Sequence, residues 1–347
     1  MVRLNEIKKQ AAERLHALFP QVAEWQESID ASVGDTTVDV LVRFRIGTEE
    51  KALVCEARPL GQPRHLREAI TRLREVRRQI PGAYPVVAAP YVSPQSALLV
   101  RQNGAGYIDL SGNCYLAFDN VLIEKEGRPN ARPLRRPLKA LFAPRASRVI
   151  RALLVERERA WRLEELGRAV EVSLGHAHNV VKRLEDLDWV ERGRDGRYRL
   201  ARPGDLLDAW RDEYTYRVNA SSAFVAPVDR RRVMEALSRH ATELGMSYAF
   251  TLHAGASLIG PHVRVSTVHC YVAGEIDALA RALGLQAVEG EGSVYLMTPY
   301  DRGVFYAPVV KAGFRVVSLP QLYVDLYRHE RRGREQAEKL RRDAMGF

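Results

Sequence analysis

The pattern of apolar and polar positions predicts alternating strands and helices over the first 127 residues. A helix extends to about Leu18, and alternating runs at residues 28–44 and 51–59, separated by the turn-like GTEEK, indicate a β-hairpin. A helix over residues 62–79 follows, with apolar positions at helical spacing. Further strands are expected in YPVVAAPYV, YIDLSGNCYLAF and VLIEKEG. The order predicts a mixed sheet with helices.

From Ala146 the pattern changes to three helices, RVIRALLVERE, LEELGRAVE and a longer helix that follows Ser173. The hydroxyl of Ser173 is expected to cap that third helix by accepting a backbone N–H bond. WVERGRDGRYRL then alternates around a glycine-flanked tip, which is typical of a tight hairpin. Three helices followed by a hairpin predict a winged helix-turn-helix over residues 145–218. Four residues spaced by three and four are expected to form the buried stripe of the third helix: Leu174, Ala177, Val181 and Leu184.

Residues 219–347 return to alternating strand and helix patterns. They begin with the helical segment VDRRRVMEALSRHATELG and continue with the strand-like YAFTLHAG and RVSTVHCYV. Two helices are expected at the end of the chain. The patterns therefore predict an α/β multi-domain protein. It has a domain over residues 1–127, a linker at 128–144, the winged helix, and a C-terminal α/β domain.

The net charge is +10, and the basic residues are concentrated in one part of the chain. Gly127–Val155 contains eight arginine and lysine residues and no acidic residue, and prolines recur through the predicted linker. Proline removes a backbone donor and restricts its predecessor, so the linker is expected to be extended. A basic stretch of this kind suits a polyphosphate partner, although a solvated linker without a binding role would look similar.

The face of the third helix opposite its apolar stripe is polar and basic, which suits the major groove of duplex DNA. The hairpin carries four arginines that are well placed to contact phosphates or the minor groove. Protein–protein recognition is the alternative role of such a fold. The predicted DNA-binding residues are Ser173, His176, Asn179, Lys182 and Arg183 on the helix, Arg192, Arg194, Arg197 and Arg199 on the hairpin, and Arg135, Arg136, Lys139, Arg145 and Arg148 before it.

Two carboxylates on the predicted N-terminal hairpin, Asp39 and Glu56, resemble the PD-(D/E)xK restriction-endonuclease-like arrangement, in which an acid and an E-x-K bind a divalent metal and activate water. Arg58 stands where that pattern has lysine, and arginine does not readily give up its proton. We therefore expect a catalytically degenerate copy that needs no cofactor. An Mg²⁺-dependent nuclease using Asp39, Glu56 and Arg58 is the alternative, and ordinary surface carboxylates are another.

Three motifs resemble the AbiEi-type antitoxins and transcriptional regulators of type IV toxin–antitoxin systems: YIDLSGN at residues 107–113, LLDAW at 206–210 and VSLPQLYVDLYRHERRGREQAEKL at 317–340. The resemblance implies a repressor that binds inverted repeats in its own promoter through Ser173–Arg183 and the hairpin. It also implies a C-terminal domain that counteracts a nucleotidyltransferase toxin without a stable complex. The full domain ahead of the winged helix departs from that family pattern.

The C-terminal domain also resembles a distant nucleotidyltransferase, because Gly255–Ser257 lies between two predicted strands. The resemblance places a metal-binding acid pair near Val263–Val268, where the sequence has no acid, so nucleotide transfer is not expected. Four residues whose spacings fit no common zinc site are expected to be structural: His253, His262, His269 and Cys270.

No apolar run approaches the length of a membrane helix, and the three cysteines lie far apart in apolar segments. We expect a cytoplasmic protein whose partners are double-stranded DNA, a second copy of itself at a two-fold site, and a cognate nucleotidyltransferase toxin. A metal-dependent nuclease and a non-enzymatic interaction scaffold are the alternative hypotheses for its function.

Overall fold

A computed structural model describes residues 3–131, 141–263, 266–330 and 332–347. Contacts group the chain into two compact units, Met1–Arg135 with Asp186–Asp188, and Arg136–Glu185 with Trp189–Phe347. Each unit contains helices and a seven-stranded sheet, in agreement with the predicted mixed α/β class. The predicted boundary between residues 218 and 219 falls inside the second unit.

The first unit is a seven-stranded sheet whose strand order follows the chain. The third, fourth and fifth strands pair in parallel, and the other neighbours pair antiparallel. Its helices are α1 (Leu4–Leu18), α2 (Pro63–Gln79) and α3 (Pro94–Gln102), and its strands are β1 (Ala23–Val33), β2 (Thr36–Ile46), β3 (Glu49–Ala57), β4 (Tyr84–Ala89), β5 (Gly106–Asp109), β6 (Cys114–Phe118) and β7 (Val121–Lys125).

Both faces of this sheet are covered by helices. In β4, Val86 and Ala88 belong to the apolar core that includes α1, whereas Val87 and Ala89 belong to the core that includes α2 and α3. A strand that is buried on both faces has a continuous run of apolar residues, which explains why YPVVAA does not alternate with polar residues. The first unit is therefore a three-layer structure.

The predicted N-terminal hairpin is present as β2 and β3, but the run at residues 28–44 is two strands instead of one. Val33 pairs with Thr36 across a turn at Gly34, which has φ of +53°. Alternation continues on both sides of this turn, so the apolar period alone does not reveal it. The conformational freedom of glycine permits the reversal.

The next segment of the chain, residues 144–200, we call the helix–hairpin module; it belongs to the second unit except for Asp186–Asp188. A β-bridge joins Trp161 to Tyr198, so the segment between the first two helices pairs with the hairpin. Trp161 and Trp189 are buried in the module. Its elements are α4 (Pro144–Val155), α5 (Leu163–Ala169), α6 (Leu174–Asp186), β8 (Val190–Arg192) and β9 (Tyr198–Leu200).

The rest of the second unit is built on a seven-stranded sheet with the order β13-β10-β14-β12-β11-β16-β15. One face of the sheet is apolar and packs against α8 and α10. The elements are α7 (Pro203–Glu213), β10 (Ala220–Val225), α8 (Arg230–Glu243), β11 (Ser247–Thr251), α9 (Leu252–Ile259), β12 (Val268–Ala273), α10 (Ile276–Ala282), β13 (Gln286–Ala287), β14 (Val294–Thr298), β15 (Val309–Lys311), β16 (Phe314–Val316), α11 (Leu319–Tyr327) and α12 (Gly333–Leu340).

Candidate nucleic-acid interface

The third helix of the module, α6, has the capped N-terminus that the sequence predicts. The Ser173 hydroxyl oxygen accepts a hydrogen bond from the backbone N–H of His176 at 3.3 Å. The predicted buried stripe is correct at Ala177, Val181 and Leu184 but wrong at Leu174, which is 49% exposed. Leu174 is the first residue of α6, and the buried positions begin one turn later.

The opposite face of α6 is exposed at Asn179 and Lys182 and half-buried at Arg183. Lys182 forms an ion pair with Glu185 at 3.1 Å, which is weak because Lys182 is exposed. His176 is more buried than the other predicted contacts. Burial lowers its pKa, and the positive charge of Arg145 lowers it further, so His176 is neutral at pH 7.

The hairpin tip is a tight turn, with a hydrogen bond from Gly196 N–H to the Gly193 carbonyl at 3.0 Å and a φ of +73° at Gly196. Arg192 and Arg194 are exposed at this end of the hairpin. They are cations of the kind that can reach a phosphate.

The other two hairpin arginines have internal partners. Arg197 donates to the Ala160 carbonyl at 3.2 Å and pairs with Glu165 at 3.4 Å, which ties the hairpin to α5. Arg199 pairs with Asp195 at 2.9 Å within the hairpin itself. Of the four hairpin arginines predicted to contact DNA, two are therefore exposed and two have internal partners.

The cations of α4 also include both exposed and internally paired side chains. Arg145 is exposed, but Arg148 donates two hydrogen bonds, from Nε to Asp301 Oδ1 at 2.7 Å and from Nη2 to Asp301 Oδ2 at 2.8 Å. Its side chain is only 12% exposed. Arg148 was predicted on the DNA-facing surface; the structure instead places it in an internal ion pair, because α4 packs against the loop after β14. The predicted contacts Arg135, Arg136 and Lys139 lie outside the described residues.

A second cation of α4, Arg151, is fully buried and begins a polar network across the second unit. Its Nη2 donates to Gln321 Oε1 at 2.6 Å, and Gln321 Nε2 donates to Asp325 Oδ1 at 2.8 Å. The hydroxyls of Tyr214 and Tyr271 also donate to Asp325 Oδ1. We call these five residues the Arg151 network; it joins α4 to α11, to β12 and to Tyr214, which directly follows α7.

Asp325 is the buried acid of this network. Burial raises the pKa of Asp325 to about 6, although hydrogen bonds from Thr251, Tyr214 and other donors stabilise its charged form. The one sequence signal of the network is Arg151, a cation inside the apolar run VIRALLV.

In the first unit, Asp39 and Glu56 lie on neighbouring strands as predicted, since Val40 pairs with Cys55 in the β2–β3 register. Three cations contact them. Lys8 lies 2.8 Å from Asp39 Oδ1, Arg58 lies 2.9 Å from Glu56 Oε2, and Arg72 lies 3.2 Å from Glu56 Oε1. A divalent ion would have to compete with these cations for the carboxylate oxygens.

Burial of Glu56 raises its pKa, and the nearby Asp39 charge adds to this effect, while Arg58 opposes it. The pair is therefore held as an internal ion cluster. The restriction-endonuclease-like identity of this unit and its lack of catalysis stay predictions.

The YIDLSGN motif has a structural role in the first unit. Gly112 has a φ of +101°, a backbone conformation that glycine adopts readily. Asp109 accepts hydrogen bonds from the backbone and side-chain amide of Asn113. Asn113 in turn bonds both the N–H and the carbonyl of Arg128. The motif thus fixes the point where the chain leaves the sheet and enters the basic segment.

The strand after α9 is Val268–Ala273, later than the Val263–Val268 segment in which an acid pair was expected. It also contains no acid. His269 stacks on Tyr295 with ring centroids 4.5 Å apart, whereas Cys270 points into the apolar core. His253 and His329 lie close to each other, with ring centroids 5.1 Å apart. Within the described ranges, no group of three histidine, cysteine, aspartate or glutamate residues is arranged to hold a metal ion.

Residues 199–345 match the family model described as "Transcriptional regulator, AbiEi antitoxin, Type IV TA system". The match begins in β9 and continues through the C-terminal sheet, so α4, α5 and α6 lie outside it. It supports, for this part of the chain, the regulatory and antitoxin class that the sequence motifs suggested.

No curated protein matches the chain. A solved structure of EndoMS in apo form is 18% identical over 30% of this chain and 45% of its own chain, with a TM-score of 0.21. This chain therefore spans less than half of that structure, and a likeness at this level carries no argument about fold or function.

None of the helices in the described ranges is both long and apolar enough to cross a membrane.

Proposed function

We propose that this protein is a DNA-binding transcriptional regulator of the type IV antitoxin kind, and that its helix–hairpin module binds duplex DNA as a winged helix-turn-helix. In this proposal α6 enters the major groove and the β8–β9 hairpin contacts the adjacent backbone. The order of three helices and a hairpin supports the assignment, since it is the order of a winged helix.

The exposed face of α6 is the observation that carries the proposal. Asn179 can pair with an adenine edge, and Arg183 can pair with a guanine edge or a phosphate. Lys182 lies on the same face, and its exposed pair with Glu185 costs little to exchange for a phosphate. Arg192 and Arg194 on the hairpin add two exposed cations. The combination of base-reading and phosphate-binding side chains favours DNA over a protein partner.

The antitoxin part of the proposal concerns the C-terminal region. The family match over residues 199–345 supports a regulator of the type IV antitoxin kind. We propose that its C-terminal region counteracts a nucleotidyltransferase toxin. We further propose that the protein acts in the cytoplasm and binds a two-fold operator as a homodimer, as many helix-turn-helix proteins do. Coexpression with a nucleotidyltransferase encoded beside its gene tests the antitoxin role, since growth should be restored only in the presence of this chain.

Salt dependence of duplex binding tests the DNA-binding role. The affinity of the full chain for a labelled duplex, measured by fluorescence anisotropy between about 50 and 200 mM salt, is expected to fall steeply, because each neutralised phosphate contributes a slope of about −0.9 to log K against log salt. With four or more phosphate contacts, the slope of log K against log salt is expected to be about −3.6 or steeper. An affinity for duplex that does not change with salt, or no binding at all, would contradict the proposal.

A nuclease is not proposed, because Lys8, Arg58 and Arg72 already occupy the carboxylate oxygens of Asp39 and Glu56. Incubation of supercoiled plasmid with the protein and Mg²⁺ or Mn²⁺ checks this point. Nicking that disappears in the Asp39→Ala variant would reverse it.

A further inference from the structure

A surface cleft of about 430 Å³ lies between α4, the start of α6 and the loop after β14. Arg145 of α4, Ser173 and His176 of α6, and Arg302 of the loop line it. Arg302 follows Arg145 by more than 150 positions in the sequence, so only the fold brings them to one cleft. The cleft combines the DNA-facing module with a loop of the C-terminal sheet.

The cations around the cleft differ in how firmly they are held. Arg148 is fixed by its two short hydrogen bonds to Asp301, and both side chains are nearly buried. Arg302 pairs with Glu171, but these side chains are 66% and 58% exposed. Arg145 makes no ion pair within the described part of the chain. Arg145 and Arg302 can therefore turn towards an incoming anion, whereas Arg148 cannot.

We propose that this cleft binds a backbone phosphate of DNA through Arg145 and Arg302, so that the C-terminal region contacts DNA directly. The inference rests on the DNA-binding function proposed above. Arginine presents a planar fork of donors that matches a phosphate, and charge-assisted bonds of this kind are among the stronger ones in proteins. The Arg302–Glu171 pair is exposed and therefore weak, so exchanging the carboxylate for a phosphate costs little.

His176 adds a pH dependence to the same cleft. Its pKa is lowered by burial and by Arg145, and the other charged groups around it are Arg148, Glu171 and Arg302. A bound phosphate adds negative charge beside the ring and favours its protonated form. DNA affinity is therefore expected to rise as the pH falls below neutral, and this gain is expected to disappear in His176→Gln.

The variant Arg302→Ala tests the site. Its affinity for duplex at about 100 mM salt is expected to fall roughly fivefold, and the salt slope is expected to decrease by about 0.9, the value for one lost phosphate contact. Arg281→Ala is the matched control, since Arg281 is exposed on α10, does not line the cleft, and removes the same charge. The control is expected to bind like the wild type. Thermal unfolding of both variants confirms that they are folded.

Glu171→Gln separates a contact with DNA from a structural role of the ion pair. If Arg302 binds phosphate, removal of the competing carboxylate tightens DNA binding, whereas a purely structural pair predicts weaker or unchanged binding. Unchanged affinity of Arg302→Ala relative to Arg281→Ala, or unchanged or weaker binding by Glu171→Gln, overturns the inference.

Inorganic phosphate distinguishes DNA from a free anion as the occupant. Thermal stabilisation of the wild type by phosphate that Arg302→Ala abolishes, together with unchanged DNA affinity, would assign the cleft to a small anion and overturn the inference. Failure of the proposed function looks different, since the wild type itself would then show no salt-dependent binding to duplex.

Discussion

The arginines of α4 and those of α6 and the hairpin all lie in the helix–hairpin module, yet their surroundings differ. Arg148 and Arg151 of α4 point into the second unit and bond Asp301 and Gln321. Arg192 and Arg194 of the hairpin point to solvent. The comparison shows that a local excess of positive charge does not reveal which cations are available to a polyphosphate partner.

The packing of α4 explains the difference. This helix contacts α5 within the module and also α7 and α11, so both of its sides are covered. A charged residue in a covered position needs an internal partner, since an unpaired buried charge is costly. Helix α6 is covered on one side only, and its polar face is exposed. The buried cations of α4, Arg148 and Arg151, are therefore expected to support the fold, whereas exposed cations of the module are expected to support binding.

The largest expected effect comes from Arg151→Ala, which breaks the Arg151 network. We expect the free energy of unfolding to fall by about 3–5 kcal/mol, because the change opens a cavity and leaves buried polar groups without their cation. Denaturant unfolding of the full chain measures it. Arg145→Ala on the same helix is the control, and a loss below about 0.5 kcal/mol is expected there. Equal losses in the two variants would remove the distinction between buried and exposed cations.

The acid of the same network predicts a dependence on pH. The pKa of Asp325 is raised from 3.8 to about 6, so the folded state favours the protonated form. The contribution of Asp325 to the free energy of unfolding is complete below about pH 4. It is lost as the pH rises through 6, and the total loss is about 3 kcal/mol.

Asp325→Asn removes this titration while it keeps the size of the side chain. The difference in unfolding free energy between wild type and variant is expected to shift in favour of the variant between pH 4 and pH 7. Parallel stability curves for the two proteins over that range would show that Asp325 does not titrate there.

The hairpin provides a smaller test on the other side of the comparison. Arg194→Ala is expected to weaken binding to all duplexes and to lower the salt slope by about 0.9, with unfolding unchanged to within about 0.5 kcal/mol. Arg197→Ala is the contrast, because Arg197 is tied to Glu165 and the Ala160 carbonyl. It is expected to lower stability by about 0.5–1 kcal/mol. A stability loss in Arg194→Ala as large as in Arg197→Ala would contradict the division.

The features that sequence analysis predicted correctly depend on neighbours close in the chain. The Ser173 cap, the turn at Gly193–Gly196 and the adjacency of Asp39 and Glu56 follow from short-range periodicity and turn chemistry. Two of the three antitoxin-like motifs, at residues 206–210 and 317–340, lie within the residues 199–345 that the family model matches, whereas YIDLSGN lies outside them.

The features that sequence analysis missed depend on distant partners. Arg148 and Asp301 are 153 residues apart, and Arg151 and Gln321 are 170 residues apart. Local apolar spacing contains no information about such pairs. The place of Arg302 beside the module has the same origin. Leu174 was misjudged for a different reason, because periodicity assigns a face to a residue but does not say where along the helix burial begins.

The proposed function depends on base reading by α6, and the ratio of specific to non-specific binding measures that reading. A duplex site selected by the wild type from a random library and an unrelated duplex are compared for wild type, Asn179→Ala, Arg183→Ala and the control Arg231→Ala, whose arginine is exposed on α8. We predict that Asn179→Ala and Arg183→Ala lose about 1–3 kcal/mol on the selected site and much less on the unrelated duplex, with no change for Arg231→Ala. Equal losses of these two variants on both duplexes would contradict base reading by this helix.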